Sequence, residues 1–207
     1  SFSVKTGHIT CVVGTVGSGK SSLVKALLSE MVKTKGTVEI TGNIAYCGQT
    51  AWILNSTIKD NIVFNEEYDE EKYYRILKAC QLENDLISLE AGDATEIGER
   101  GINLSGGQKQ RISLARAAYS SKDIYLLDDP LSALDPSVAN KVFDECIKNL
   151  LRGKTVFMVT NQLQFLCRCD QILVLRADDN GEGIADSNRT GRIVEMGTYD
   201  SLMADGK

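Results

Sequence analysis

The sequence is poor in proline and histidine and has no long apolar run. It contains two prolines and one histidine, His8, in 207 residues. No apolar run approaches the ~18 residues that a membrane-spanning helix needs, and the first residues lack the basic-then-apolar order of a secretory signal. Asp and Glu outnumber Lys and Arg by 28 to 23, which gives a net charge of −5. This balance argues against a protein that binds nucleic acid through an overall positive field.

The cysteines are too scattered to indicate a disulfide framework or a metal site. Several lie inside apolar runs, where we expect reduced, packed thiols. Cys167 and Cys169 are too close together for a usual zinc pair and have no histidine nearby. A chain of this length buries about 70% of its unfolded surface, so it needs neither disulfides nor metal to fold. The cysteines are Cys11, Cys47, Cys80, Cys146, Cys167 and Cys169.

Apolar runs that are typical of buried strands alternate with longer stretches of helical periodicity. This order predicts an α/β fold with a mostly parallel sheet covered on both faces. Strand signals vanish between Trp52 and Leu104, so we interpret residues 50–104 as a helical insertion. The polar, glycine-rich residues 176–191 predict a flexible loop. The predicted strands are residues 9–13, 37–40, 44–47, 124–127, 155–160, 172–175 and 192–196, and the predicted helices are residues 22–33, 69–79 (with Asp69 as N-cap), 108–119 and 136–151.

Residues 14–21 read GTVGSGKS and match the phosphate-binding pattern Gly-x-x-x-x-Gly-Lys-Ser/Thr. They follow the first predicted strand and open the first predicted helix, a context that disfavours an accidental glycine-rich turn. The glycines let backbone N–H groups surround phosphate oxygens. Lys20 can reach the β- and γ-phosphates, and the Ser21 hydroxyl can ligate Mg²⁺. The predicted phosphate-binding residues are Gly14, Thr15, Val16, Gly17, Ser18, Gly19, Lys20, Ser21 and Ser22.

Asp128 ends the apolar run 124–127. A parallel strand beside the first strand would bring this carboxylate to the same edge of the sheet as the phosphate loop. There it could hold Mg²⁺ directly or through water. Taken alone the pattern is weak, because apolar strands often end in Asp at a turn.

Residues 104–108 read LSGGQ. Ser105 and Gln108 stand three apart and can form a capping box at the start of the next helix. Gly106 and Gly107 leave that helix N-terminus bare, which predicts a second anion site. The plainer interpretation is an ordinary N-cap after a glycine-rich loop.

These segments, taken in order with Gln49 and with Ser132-Ala133-Leu134-Asp135, resemble the nucleotide-binding domain of an ATP-binding cassette (ABC) transporter. Residues 49–53 (QTAWI), 96–101 (EIGERG) and 128–133 (DDPLSA) resemble the first such domain of the C subfamily, the multidrug-resistance-associated exporters. The resemblance implies a P-loop NTPase core with a small β-subdomain and an inserted α-helical signature subdomain. It divides the single domain, residues 1–207, into a core of residues 1–49 and 105–207 and a helical subdomain of residues 50–104. It also implies that the chain starts partway through the β-subdomain.

The resemblance further implies roles for single residues, with ATP and Mg²⁺ as cofactors. Gln49, Ser21 and Asp128 would hold Mg²⁺, and Gln49 would sense the γ-phosphate. Ser105, Gly107 and Gln108, with Gly106, would contact ATP held by a second nucleotide-binding domain, and Asp135 would contact that partner.

The same resemblance places the domain in a larger transporter. The segment after Gln49 would contact the transmembrane domain. The domain would then lie at the cytoplasmic face of a membrane and act as a transporter ATPase.

Two positions depart from the family's pattern. Asp129 stands where the catalytic base is usually Glu, and it is shorter by one methylene. Asn161 stands where a histidine is usual, and it cannot carry a positive charge or shuttle a proton. We expect Asp129, Asn161 and Gln49 to be the residues at the catalytic positions. We therefore expect the domain's own site to bind Mg-ATP but to hydrolyse it slowly or not at all, while its LSGGQ completes the partner's site.

Other functions are compatible with parts of this pattern. A nucleotide-gated regulatory domain without productive turnover differs from a transporter ATPase mainly in mechanism, and the sequence does not separate the two. An ATPase of DNA maintenance of the SMC type would need long coiled-coil arms between the phosphate loop and LSGGQ, and no sustained heptads occur there. A generic P-loop kinase has no use for LSGGQ.

Overall fold

A sheet of six strands forms the centre of the fold in the computed structural model, which describes residues 1–98, 103–177 and 191–204. The strand order is β2-β5-β6-β1-β7-β8, and every neighbouring pair is parallel except β7 and β8. A separate antiparallel pair joins β3 to β4. The strands are β1 (Ile9–Gly14), β2 (Ile44–Cys47), β3 (Ser56–Thr57), β4 (Glu96–Ile97), β5 (Ile124–Asp128), β6 (Thr155–Val159), β7 (Gln171–Ala177) and β8 (Gly191–Gly197).

Helices cover both faces of this sheet. Cys11 and Val13 of β1 belong to one buried apolar cluster, and Val12 between them belongs to another that includes Val24 of α1. Burial on both faces explains why the strand sequences are continuously apolar instead of alternating. The helices are α1 (Lys20–Leu27), α2 (Ile58–Val63), α3 (Glu70–Ala79), α4 (Glu83–Ile87), α5 (Gly106–Tyr119), α6 (Pro136–Val142) and α7 (Tyr199–Ala204).

The described chain also contains two short 3₁₀ helices and one helix that changes from α to π geometry. Short 3₁₀ turns occupy Gly92–Ala94 and Leu163–Arg168. The helix that begins with α6 continues through Phe143–Leu150 with π-helical geometry. Within the residues that the structure describes, no helix is both long and apolar enough to cross a membrane.

The predicted α/β fold with a mostly parallel sheet is confirmed, and three local predictions are wrong. The helix predicted at residues 22–33 ends at Leu27, shortly before Ser29 adopts a positive φ of 61°. The strand predicted at residues 37–40 does not form. The segment 50–104, for which no strand was predicted, contains β3 and β4, which are too short to leave a periodic signal.

Two further expectations concern segments near the ends of β7 and β8. Of the loop predicted at residues 176–191, residues 178–190 lie outside the described residues, and Ala177 and Gly191 pair with each other in the β7–β8 ladder.

The sulfur atoms of Cys11 on β1 and Cys169 just before β7 are joined in a disulfide, so the expectation of reduced thiols is wrong for this pair. The other four cysteines are free.

Tyr119, at the end of α5, ties the start of α3 to the core. Its side chain is fully buried, and its hydroxyl accepts the backbone N–H of Asp69 at 2.7 Å and donates to the carbonyl of Glu67 at 2.8 Å. Asp69 is the N-cap of α3, as predicted, and accepts the backbone N–H of Lys72 at 2.9 Å. One hydroxyl therefore fixes the entry to α3.

Tyr119→Phe should lower the free energy of unfolding by about 1–3 kcal/mol, because it leaves two backbone groups without a partner. Urea unfolding at neutral pH measures this loss. Tyr74→Phe is the matched control, since Tyr74 on α3 is 55% exposed. Equal stability of the two variants would contradict the anchoring role of Tyr119.

Candidate functional site

Three parallel strands bring the predicted site residues to one edge of the sheet. β1 ends at Gly14, β5 ends at Asp128, and β6 ends at Val159, just before Asn161. The expectation that β5 lies beside β1 is wrong, because β6 lies between them and pairs with both. All three strands still run in the same direction, so their carboxyl ends meet at the same edge, where open α/β sheets bind ligands.

Residues 14–21 form a tight turn between β1 and α1, as the motif predicts. Gly19 is the N-cap of α1 and has a left-handed backbone (φ 87°) that other residues rarely adopt. A side chain at Gly14 would strike the carbonyl of Leu175 on β7 and the hydroxyl of Ser18. The sequence therefore needs glycine at both places for the loop to wrap against the sheet.

Lys20 lies inside this loop and is 8% exposed. Its Nζ donates to the carbonyl oxygens of Gly14 at 2.7 Å and Thr15 at 3.0 Å. Burial lowers the pKa of Lys20, and the nearby carboxylates of Asp129 and Asp128 oppose that effect. An ammonium group that is partly desolvated at a sheet edge suits attraction of a phosphate.

The Ser18 hydroxyl is buried inside the same loop and has no partner. Buried hydroxyls normally find one. A loop with an unsatisfied buried hydroxyl, backbone N–H groups and a desolvated ammonium fits a phosphate chain.

Ser21 and Asp128 face each other across the start of α1. The Ser21 Oγ lies 3.3 Å from Asp128 Oδ1. Burial raises the pKa of Asp128, a cost that a bound cation would relieve. Among the described residues, no three His, Cys, Asp or Glu side chains cluster closely enough to hold a metal by themselves. Mg²⁺ is commonly held by one or two carboxylates and by the phosphates of its nucleotide, and Ser21 with Asp128 fits that set.

A cavity of about 600 Å³ opens from this pair. Gln49 lies in its wall, together with Ser21 and Asp128, so the structure brings together the three residues predicted to hold Mg²⁺. Thr50 and Trp52, from the 49–53 segment that carries the family resemblance, also line this cavity. Sequence reasoning missed the other wall residues, because nothing local marks them. They are Lys25, Tyr46, Gly48, Ser113 and Arg116.

Asp129 accepts a hydrogen bond from Asn161, which follows β6. The Asn161 Nδ2 donates to Asp129 Oδ2 at 3.1 Å, and the other carboxylate oxygen of Asp129 is buried without a partner. Asp129 also has a positive φ of 49°, which is unusual for a residue other than glycine. The two positions that depart from the family pattern are therefore in direct contact.

LSGGQ begins α5 with the predicted capping box. The Ser105 Oγ accepts the backbone N–H of Gln108 at 3.2 Å, and the Gln108 Oε1 accepts the backbone N–H of Ser105 at 2.9 Å. The Gln108 amide also donates to Asp85 at 2.9 Å. None of residues 104–108 lines the 600 Å³ cavity.

The segment that ends at Asp135 packs against this helix N-terminus. A side chain at Gly107 would lie 2.8 Å from the carbonyl oxygen of Ala133 and 3.3 Å from a methyl carbon of Leu134. Asp135 is exposed and is the N-cap residue of α6. Of the residues predicted to face a partner domain, Ser105, Gly106 and Asp135 are exposed, and Gly107 and Gln108 are half-buried.

A phosphate loop of this form, with a serine and a strand-end aspartate beside it, defines a P-loop nucleotide-binding α/β domain. The family model that describes ABC transporters matches residues 1–132 of the chain. The chain therefore belongs to the ABC transporter family and is an ATP-binding domain of that family.

Its relatives are members of the C family. The chain is 51% identical over 205 residues to mouse ATP-binding cassette sub-family C member 2, covering 98% of this chain and 12% of that protein. It is 49% identical over 203 residues to ABC transporter C family member 12 of Dictyostelium discoideum, covering 98% of this chain and 14% of that protein. It is 45% identical over 206 residues to human sub-family C member 4, covering 100% of this chain and 15% of that protein. The chain thus spans about one seventh of the length of such relatives.

Asp128→Asn should stabilise the ligand-free domain at neutral pH. The raised pKa means that the folded chain holds the proton of Asp128 more tightly than the unfolded chain does, so the charged carboxylate lowers stability as pH rises above its ordinary value of 3.8. We therefore expect a higher melting temperature for the variant than for the unchanged chain at pH 7. The gain should shrink towards pH 4, and thermal unfolding at several pH values measures it.

The same variant should lose the part of ATP affinity that depends on Mg²⁺, because the amide is neutral. Titration with ATP in the presence and absence of Mg²⁺ checks this loss. A variant that is less stable at pH 7, or that keeps its Mg²⁺ dependence, would show that Asp128 is not a strained metal ligand.

Proposed function

We propose that this chain binds Mg-ATP and drives an ABC transporter of the C-family type, in which it pairs head-to-tail with a second nucleotide-binding domain to export a substrate. The observation that carries this proposal is the meeting of the phosphate loop, the Ser21–Asp128 pair and Gln49 at one sheet edge. None of residues 104–108 lines that cavity, so the proposal assigns LSGGQ to a second nucleotide. A second domain that supplies its own LSGGQ resolves this arrangement.

The proposal also assigns roles to the parts of the chain. Residues 1–49 and 105–207 are the core with its β-subdomain, and residues 50–104 are the helical subdomain. Ser105, Gly107 and Gln108, with Gly106, contact ATP held by the partner domain, and Asp135 contacts the partner itself. The segment after Gln49 meets the transmembrane domain, and the chain lies at the cytoplasmic face of a membrane.

We further propose that the chain's own ATP site turns over slowly or not at all. A general base must come within about 2.6–3.2 Å of the water it activates, and the shorter Asp129 is already held by the Asn161 amide at 3.1 Å. Asn161 cannot take up or deliver a proton. The contact between Asp129 and Asn161 favours a domain that holds ATP as a regulatory ligand while its LSGGQ serves the partner's site.

The first experiment follows radiolabelled ATP bound to the 207-residue chain with Mg²⁺ over hours. Bound ATP should stay intact in the unchanged chain. The double variant Asp129→Glu, Asn161→His should form ADP faster by on the order of 10²-fold, because about 1 Å of misplacement can cost that much. Quantifying ATP and ADP by thin-layer chromatography gives both rates.

Lys20→Ala in the double variant is the control, since it should abolish ATP binding and ADP formation together. Steady ADP formation by the unchanged chain would overturn the slow-site proposal. A double variant that binds ATP but forms no ADP would show that Asp129 and Asn161 are not by themselves the cause of slow turnover. A chain that binds no ATP at all would overturn the proposed function itself.

A further inference from the structure

Gln49 lies in a segment that has no regular structure of its own. Residues 48–55 connect β2 to β3 and contain neither helix nor strand. The Gln49 side chain is exposed at the cavity wall. Because no helix or strand holds Gln49, contacts from other elements must fix its position relative to Ser21 and Asp128.

The start of this segment is held by Gln110 of α5. Gln110 is 2% exposed, and its Nε2 donates to the carbonyl oxygen of Gly48 at 3.0 Å. Gly48 immediately precedes Gln49. The same nitrogen lies 3.7 Å from the Sγ of Cys47, so this buried amide holds the backbone on the amino-terminal side of Gln49.

The end of the segment is held by Arg116, also on α5. The Arg116 Nη1 donates to the carbonyl of Trp52 at 2.8 Å, and its Nε and Nη2 donate to the carbonyl and side-chain oxygens of Asn61 on α2 at 2.6 and 2.7 Å. Asn61 is fully buried, and its side chain accepts the backbone N–H of Leu54 at 2.8 Å and donates to the Leu54 carbonyl at 3.0 Å. Arg116 and Asn61 together form a clasp on the carboxyl-terminal side of Gln49.

The fluorescence of Trp52 can report on the contacts made by Arg116. It is the single tryptophan of the chain and is 57% exposed. The Arg116 guanidinium lies 4.9 Å from the centre of its ring, and the Phe64 ring lies edge-on at 5.9 Å. A change in the clasp should therefore change the fluorescence of Trp52.

We propose that Gln110 and Arg116 are positioning residues for Gln49, which hold its segment from both sides so that its side chain stays beside the Ser21–Asp128 pair. This inference rests on the proposed function, in which Gln49 contributes to the binding of Mg-ATP. Neither residue needs to touch the nucleotide. Arg116 cannot be replaced by lysine, because a single ammonium cannot reproduce three directed N–H bonds to the carbonyl of Trp52 and the two oxygens of Asn61.

The test compares ATP affinity with Mg²⁺ and with EDTA, and takes the ratio of the two as the readout. In the unchanged chain Mg²⁺ should tighten ATP binding. Arg116→Met, Arg116→Lys and Gln110→Met should each reduce that ratio by about 3- to 10-fold, as loss of a well-placed hydrogen-bonding group does. Affinity in EDTA should not change in Gln110→Met, because Gln110 does not line the cavity. Acrylamide should quench Trp52 more strongly in the two Arg116 variants.

Gln49→Ala supplies the reference for a positioning role. It should reduce the ratio by the same amount, and Arg116→Met added to it should reduce the ratio no further, because residues that act through one group are not additive. Arg168→Met is the matched control. The Arg168 guanidinium also lies over two rings, those of Phe143 and Phe165 at 5.4 and 5.8 Å, but on elements away from the cavity, so its loss should leave the ratio unchanged.

The proposal is wrong if Arg116→Met and Gln110→Met keep the ratio of the unchanged chain, or if the effects of Gln49→Ala and Arg116→Met add. If Arg116→Met does not fold, Gln110→Met and Arg116→Lys decide the question. Failure of the proposed function looks different, because the unchanged chain would then bind no ATP either with Mg²⁺ or with EDTA.

Discussion

The parallel pairing of β5, β6 and β1 is the constraint on which the candidate site depends. Backbone hydrogen bonds between these strands fix their ends relative to one another. The phosphate loop after β1, Asp128 and Asp129 at β5 and Asn161 after β6 then meet without any contact of their own having to bring them together. A slip of one residue in β5 would exchange its buried faces and move Asp128 away from Ser21. The register of these strands therefore sets the geometry of the site.

Helix α5 adds a second level of organisation. Its first turn presents LSGGQ, its middle and end hold the segment of Gln49 through Gln110 and Arg116, and its last residue anchors α3 through Tyr119. One helix thus contacts both proposed phosphate sites and the helices of residues 58–87. These contacts explain why α5 carries buried polar side chains. Burying a polar side chain lowers stability unless the side chain is hydrogen-bonded.

Local chemistry accounts for what the sequence predicts correctly. The phosphate loop, the Ser105–Gln108 capping box and the Asp69 N-cap each depend on residues within a few positions of one another, so their spacing carries the signal. The bond between Asn161 and Asp129 and the Arg116 clasp join residues 32 and 55–64 positions apart, and no local pattern announces them. The prediction that β5 lies beside β1 was wrong for a similar reason. No local sequence pattern indicates that β6 lies between these two strands. The sequence predicts the identity of most candidate site residues, and the sheet supplies their arrangement.

The contact between Gly107 and Ala133 changes how loss-of-function variants in LSGGQ should be read. Any side chain at Gly107 meets the backbone carbonyl of Ala133, in the segment 132–135 of the same chain. A variant at this position therefore displaces the residues proposed to face the partner domain as well as the signature helix. Genetic sensitivity at Gly107 would therefore report on close backbone packing within one chain, and sensitivity at Ser105 would report first on the capping box of α5.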